Sequence, residues 1–86
     1  MKDRLELEQR LEKVLLASKD LLPANEIDDM MSLTRHGEIG VALENYCTQL
    51  FEYDAVVSDA LLREIRHIAD SIKLDPKYYS RLTRSS

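Results

Sequence analysis

Placed at 100° per residue, Leu7, Leu11, Val14, Leu15, Leu21 and Leu22 share an arc of about 120°, which predicts an amphipathic helix over about residues 3–21. Pro23 ends it, because proline lacks an amide hydrogen and disfavours helical geometry in the residue before it. Asn25 is the expected N-cap of a second helix whose inner face is Ile27, Met30, Met31 and Thr34. Asp28 stands near the capping-box position, and Glu26, Asp28 and Asp29 complement the positive end of the helix dipole. Gly37 reads as a left-handed residue closing that helix after Arg35 and His36. A third helix then covers about residues 38–53, with Ile39, Ala42, Leu43, Tyr46, Leu50 and Tyr53 on one arc, and is the expected centre of the core.

A short connection at 54–57 reaches Ser58, the expected N-cap of a fourth helix. Val57 and Leu62 fall at the two positions of a hydrophobic staple, and Leu61, Ile65, Ile68, Ala69 and Ile72 continue an inner stripe. Asp75-Pro76 has the chemistry to start a short fifth helix carrying Tyr78, Tyr79 and Leu82. The expected fold is all-α: a compact bundle of four main helices plus a short C-terminal helix, one domain over residues 1–82 with a polar tail at 83–86.

Composition narrows the class. An 86-residue chain buries on the order of 60% of the surface its unfolded form exposes, so the core must hold the fold without room for a separate cofactor domain. Its 44% apolar content is too high for a disordered chain, and two Gly and two Pro are too few to turn a many-stranded β fold. Cys47 is the single cysteine, so no internal disulfide forms, and the expected compartment is the cytoplasm. Residues 1–10 alternate charge with isolated leucines and contain no apolar core of a secretory signal. No stretch approaches the ~20 apolar residues of a membrane span.

Catalytic and metal chemistry finds little support. His36 and His67 lie on different expected helices, and neither has a Cys, Asp or Glu four residues on. His36-Gly37-Glu38 matches half of a zinc-deaminase signature, but one cysteine cannot supply the other half. Gly37 and Gly40 are the only glycines, too few for a phosphate-binding loop. Cys47, at the edge of the third helix's apolar arc, has no local basic group to activate it and reads as a packed thiol. The carboxylates map mostly to exposed faces. The expectation is therefore a protein that is not an enzyme and uses no metal or cofactor.

Charge is unevenly distributed. Residues 1–19 carry five basic and four acidic groups, residues 20–59 one and nine, and residues 60–86 six and three, for nets of +1, −8 and +3. Arg35 is the only cation in the middle segment, so the second and third helices are expected to present a concentrated negative field. The outward arc of the third helix gathers Val41, Glu44, Asn45, Thr48, Phe51 and Glu52, an aromatic beside two carboxylates. An aromatic anchor ringed by charge suits a protein interface, while a solvated face with Phe51 packed beneath a neighbouring segment is the plainer alternative. Dipole compensation alone accounts for Asp28 and Asp29. Tyr78 and Tyr79, beside Lys77 and Arg81, form a second contact patch or complete the core.

The run His36-Gly37-Glu38-Ile39-Gly40-Val41-Ala42-Leu43-Glu44-Asn45-Tyr46-Cys47, continuing as Gln49-Leu50-Phe51-Glu52-Tyr53-Asp54, resembles the central motif of MafI-type immunity proteins of bacterial polymorphic toxin systems. Leu21-Leu22-Pro23 upstream, with Ile65, Ile68, Ala69 and the segment 74–79 downstream, extends the resemblance over about residues 11–82. Such a resemblance implies a small cytoplasmic protein that protects its producer by binding a cognate toxin domain, as in contact-dependent growth inhibition. The toxin is often a nuclease, with EndoU-type RNase domains recurring beside these proteins. Glu38, Glu44 and Glu52 fall at family-like positions. The expected partner is thus a basic nuclease domain of a protein toxin, with no nucleic acid or membrane bound directly, and the protein is expected to be a monomer or weak homodimer. The expected toxin-binding residues are Asp28, Asp29, Glu38, Glu44, Thr48, Phe51, Glu52 and Asp54, with Tyr78 and Tyr79 as secondary contacts. Two other classes compete: a helical DNA-binding regulator or antitoxin, which the three glutamates and absent Lys and Arg of residues 38–53 disfavour, and a homodimeric adaptor using Leu5, Leu16 and Phe51.

Overall fold

A computed structural model describes residues 4–84. Helix α1, Arg4–Leu16, buries Leu7, Leu11, Val14 and Leu15, as its periodicity predicts. It stops short of residue 21, and Ser18 accounts for the difference. The Ser18 hydroxyl donates to the Val14 carbonyl at 2.7 Å, taking the acceptor that its own backbone amide would use in an α-helix. That amide turns to Leu15 at 3.1 Å, and the Leu21 and Leu22 amides fold back onto the Ser18 carbonyl at 2.9 and 3.1 Å. Leu22 is still buried, although it lies beyond the helix.

Helix α2, Ala24–Arg35, has Pro23 as its N-cap and no side-chain cap, so Asn25 lies inside the first turn and is not the capping residue. The Pro23 carbonyl accepts from the Glu26 and Ile27 amides at 3.1 and 3.2 Å. Leu22 and Ile27, both buried, occupy the staple positions on either side of this start, so apolar contact directs the chain where no cap does.

Helix α3, Ile39–Glu52, buries Ile39, Ala42, Leu43, Tyr46, Cys47 and Leu50 and packs on α1 and α2. Tyr53, expected on the inner arc, is instead the C-cap of α3 and is exposed. Helix α4, Asp59–Ser71, begins as expected: the Leu61 amide donates to the Ser58 hydroxyl at 3.0 Å, and the staple residues Val57 and Leu62 are buried. Helix α5, Lys77–Ser80, packs on α3 and α4. The Asp75 carboxylate accepts the Lys77 amide at 3.0 Å, but the N-cap is Pro76, one residue later than expected, and Leu82 lies beyond the helix end.

The fold is mostly α, with one departure. Strands β1, Val56–Val57, and β2, Thr83–Arg84, pair in parallel, Val56 with Thr83 and Val57 with Arg84. Thr83 and Arg84 belong to the segment read from sequence as a polar tail; its last two residues lie outside the described residues, as does residue 3 of the expected first helix. Among the described residues, no helix is long and apolar enough to cross a membrane.

Three helices end in the same way. After α2, Gly37 (φ 81°) donates to the Thr34 carbonyl and Glu38 to that of Leu33. After α3, Asp54 (φ 51°) donates to Phe51 and Ala55 to Leu50; after α4, Lys73 (φ 60°) donates to Asp70 and Leu74 to Ala69. Each pair satisfies two orphan carbonyls in a Schellman motif, but only the first uses the glycine that the left-handed region favours. Arg10 ties α1 to α4 through two hydrogen bonds to Glu64, at 2.7 and 2.8 Å, and Arg35 reaches Glu12 at 3.5 Å.

At the centre, Tyr46 and Ser18 are fully buried and their hydroxyls are 2.7 Å apart. Ser18 spends its single hydrogen on Val14, so Tyr46 is the donor. Ser18→Ala leaves the Tyr46 hydroxyl buried without an acceptor and is expected to cost about 1–3 kcal/mol, against about 0.5–1.5 kcal/mol for Tyr46→Phe. In urea denaturation the double variant should lose less than the sum of the two. Lys73→Gly is expected to stabilise by about 0.5–1 kcal/mol by relieving a left-handed non-glycine residue. Gly37→Ala, whose added methyl meets nothing within 4 Å, is expected to destabilise by about 1 kcal/mol through the backbone alone.

Candidate functional site

The expected site residues do not form one continuous face. Asp28 and Asp29 are exposed on α2. Glu38 is the exposed N-cap of α3; its side chain makes no capping hydrogen bond, so its carboxylate stays on the surface. Glu52 is exposed in the last turn of α3, and Asp54 is exposed at the left-handed position just beyond. A negative charge at a helix C-terminus opposes the dipole, so Glu52 and Asp54 have no local electrostatic reason for their positions.

Glu44 is placed differently. It is half-buried on the wall of a groove of about 700 Å³, together with Arg4, Lys73, Lys77, Asp75 and Tyr78. Three cations from α1, the turn after α4 and α5 therefore line the same groove as a carboxylate that the helical wheel groups with Glu52. Arg4 also donates to the Gly37 carbonyl at 2.7 Å, fixing the start of α1 to the turn between α2 and α3. Thr48 is half-buried. Phe51 remains 41% exposed, yet the Arg81 guanidinium lies 4.0 Å from its ring centroid. Tyr78 and Tyr79 are half-buried against the core, so both contribute to packing. Lys77 lies 5.4 Å above the Tyr78 ring, and the Tyr79 hydroxyl approaches the Asp70 carboxylate at 3.5 Å.

The basic C-terminal segment thus folds onto part of the outward arc of α3. Helical spacing alone places Glu44 and Phe51 on this arc but carries no sign of their cationic neighbours. The +3 net of residues 60–86 signalled available charge, but a count says nothing of where α5 docks.

Ion pairing separates the carboxylates into two groups. The ion pairs within the described residues use Glu6, Glu8, Glu12 and Glu64, all on α1 and α4. Asp28, Asp29, Glu38, Glu52 and Asp54 take part in none of these pairs and remain exposed. A second groove of about 710 Å³ has Leu16, Ile27 and Met31 as apolar lining and Asp28, Arg35 and His36 among its polar residues. There the His36 Nδ1–H donates to the Ser32 carbonyl at 2.7 Å, which orients the ring.

Cys47 is fully buried, and burial pushes its thiol up to about 12. At neutral pH it is a protonated packing group, as its position on the α3 arc suggested. Among the described residues, no three His, Cys, Asp or Glu side chains are grouped to hold a metal ion. No protein-family model matches the chain, and no curated protein or solved structure matches it. Its activity must be inferred from the surface itself.

The buried thiol and phenol set a pH dependence. Desolvation raises Cys47 from its ordinary 9.0 to about 12 and Tyr46 from 10.0 to about 12. The unfolded chain releases these protons first, so their contribution to stability is intact below about pH 9 and is lost as pH rises towards 12. Urea midpoints measured across this window should fall, with a slope of up to about 1.4 kcal/mol per pH unit for each group. Cys47→Ala should delay the onset by about one pH unit, because the remaining group ordinarily titrates at 10.0.

Proposed function

We propose that this chain is an immunity protein that binds a cognate toxin domain, a nuclease and most simply an EndoU-type RNase, and masks its basic substrate-binding surface. One observation carries the reading: Asp28, Asp29, Glu38, Glu52 and Asp54 are exposed and outside the ion pairs that knit α1 to its neighbours. A nuclease must hold a polyanion in a cationic cleft, and an acidic protein surface competes for that field. The similarity of residues 36–54 to the central MafI-type motif supplies the partner class, and the negative middle segment supplies the chemistry. The helices act as a compact scaffold, with no catalysis or cofactor required of this chain, and the complex forms in the cytoplasm.

Long-range attraction would speed encounter, while desolvated contacts would slow release. Glu44 contributes less than the helical wheel suggests, because Arg4, Lys73 and Lys77 share its groove. Asp28, Asp29, Glu38, Glu52 and Asp54 take part in none of the ion pairs among the described residues, so reversing any one of them is expected to leave stability within about 0.5 kcal/mol.

The test pairs this chain with EndoU-type RNase toxin domains, the partner class proposed. Glu38→Lys combined with Glu52→Lys is expected to weaken binding by about 10- to 100-fold, chiefly by slowing association at low salt. It should also abolish protection of cells that express the nuclease. Unchanged affinity in the folded double variant would take both ends of α3 out of the interface.

A further inference from the structure

Phe51 is the chain's only phenylalanine, and it is exposed while carrying a guanidinium 4.0 Å from its ring centroid. The guanidinium belongs to Arg81, the C-cap of α5. On the far side of Arg81 the chain is anchored by buried Leu82 and by the pairing of Thr83 and Arg84 with β1. Arg81 forms no ion pair among the described residues, so only its stacking holds the side chain in place. Glu52, adjacent to Phe51, and Asp54, three residues on, are both exposed and add two negative charges to this end of α3, outside ion-pair distance of Arg81.

We propose that the Phe51 ring, with Glu52 and Asp54, is a receptor for an arginine side chain of a basic protein partner, and that Arg81 occupies it until the partner displaces it. The inference rests on the reading of this surface as the docking site of a basic toxin domain. An aromatic face attracts a cation through its quadrupole. Arginine suits the site better than lysine, because its planar and weakly hydrated head stacks flat on a ring, as Arg81 does here. Displacement requires no unfolding: the backbone on both sides of Arg81 is held, so rotation of one side chain uncovers the ring. An incoming cation must outcompete an arginine already in place, which sets a threshold against weak polycations. A partner that presents arginine within a larger surface exceeds it.

Hexa-arginine peptide, titrated into the intact protein and followed by backbone and aromatic NMR shifts, tests this directly. Arg81→Ala is expected to bind the peptide about two- to five-fold more tightly than the wild type, with the largest shifts at Phe51 and Glu52. Adding Phe51→Leu should erase the gain, and hexa-lysine should show less of it. Arg63→Ala, which removes one exposed cation on α4, controls for net charge alone. Equal affinity in wild type and Arg81→Ala, or an equal gain from Arg63→Ala, would overturn the receptor. The peptide needs no toxin. A protein that neutralises the nuclease but fails this titration keeps the proposed function and loses the receptor, and the reverse pattern keeps the guanidinium site and loses the function.

Discussion

A tyrosine hydroxyl in the middle of the core helix must have a hydrogen-bond partner, and the rest of the architecture is arranged around that need. Tyr46 is fully buried on α3, and its hydroxyl is met by Ser18, whose own hydrogen goes to the Val14 carbonyl. The relay ends α1 early, because the serine occupies the carbonyl that helix propagation would use. The turn that follows folds onto the Ser18 carbonyl and delivers Leu22 into the core just before Pro23. That placement starts α2, and α2 in turn carries Asp28 and Asp29 to the surface. One satisfied polar pair therefore sets the direction of the chain through its first half.

The second half depends on repeated use of one stop. Gly37, Asp54 and Lys73 adopt the left-handed conformation that lets the next two amides return to the end of the helix. Glycine would serve all three positions with less strain. Asp54 and Lys73 instead place charge at the turns: a carboxylate close in sequence to the exposed aromatic, and a cation in the groove that holds Glu44. The loss in backbone preference is small beside the core, and each substitution puts chemistry where a glycine would leave none.

Much of the fold was legible in the sequence because it is local. The Ser58 cap, the Val57–Leu62 staple, the Gly37 stop and the burial of Cys47 follow from residue type and helical spacing. The features that were not legible are those decided by distant parts of the chain. Nothing near Ser18 announces Tyr46, so α1 reads too long. Asn25 is chemically a good cap, but the buried Leu22–Ile27 pair starts α2 two residues earlier. Two-residue strands carry no periodicity, and β1 meets β2 only because α4 and α5 bring the chain back. The site divides similarly. Its surplus of carboxylates could be counted from sequence, but the cations that share Glu44's groove and the guanidinium over Phe51 depend on where α5 docks.

The separation of paired from unpaired carboxylates has an evolutionary consequence. Glu12 and Glu64 join helices, so a change at either is felt by the fold. Asp28, Asp29, Glu38, Glu52 and Asp54 join nothing within these ion pairs, so mutation can sample them with little effect on folding. A lineage built on this chain can therefore drift across many charge patterns while keeping one core, and selection on binding is free to act on that surface without first repairing the scaffold beneath it.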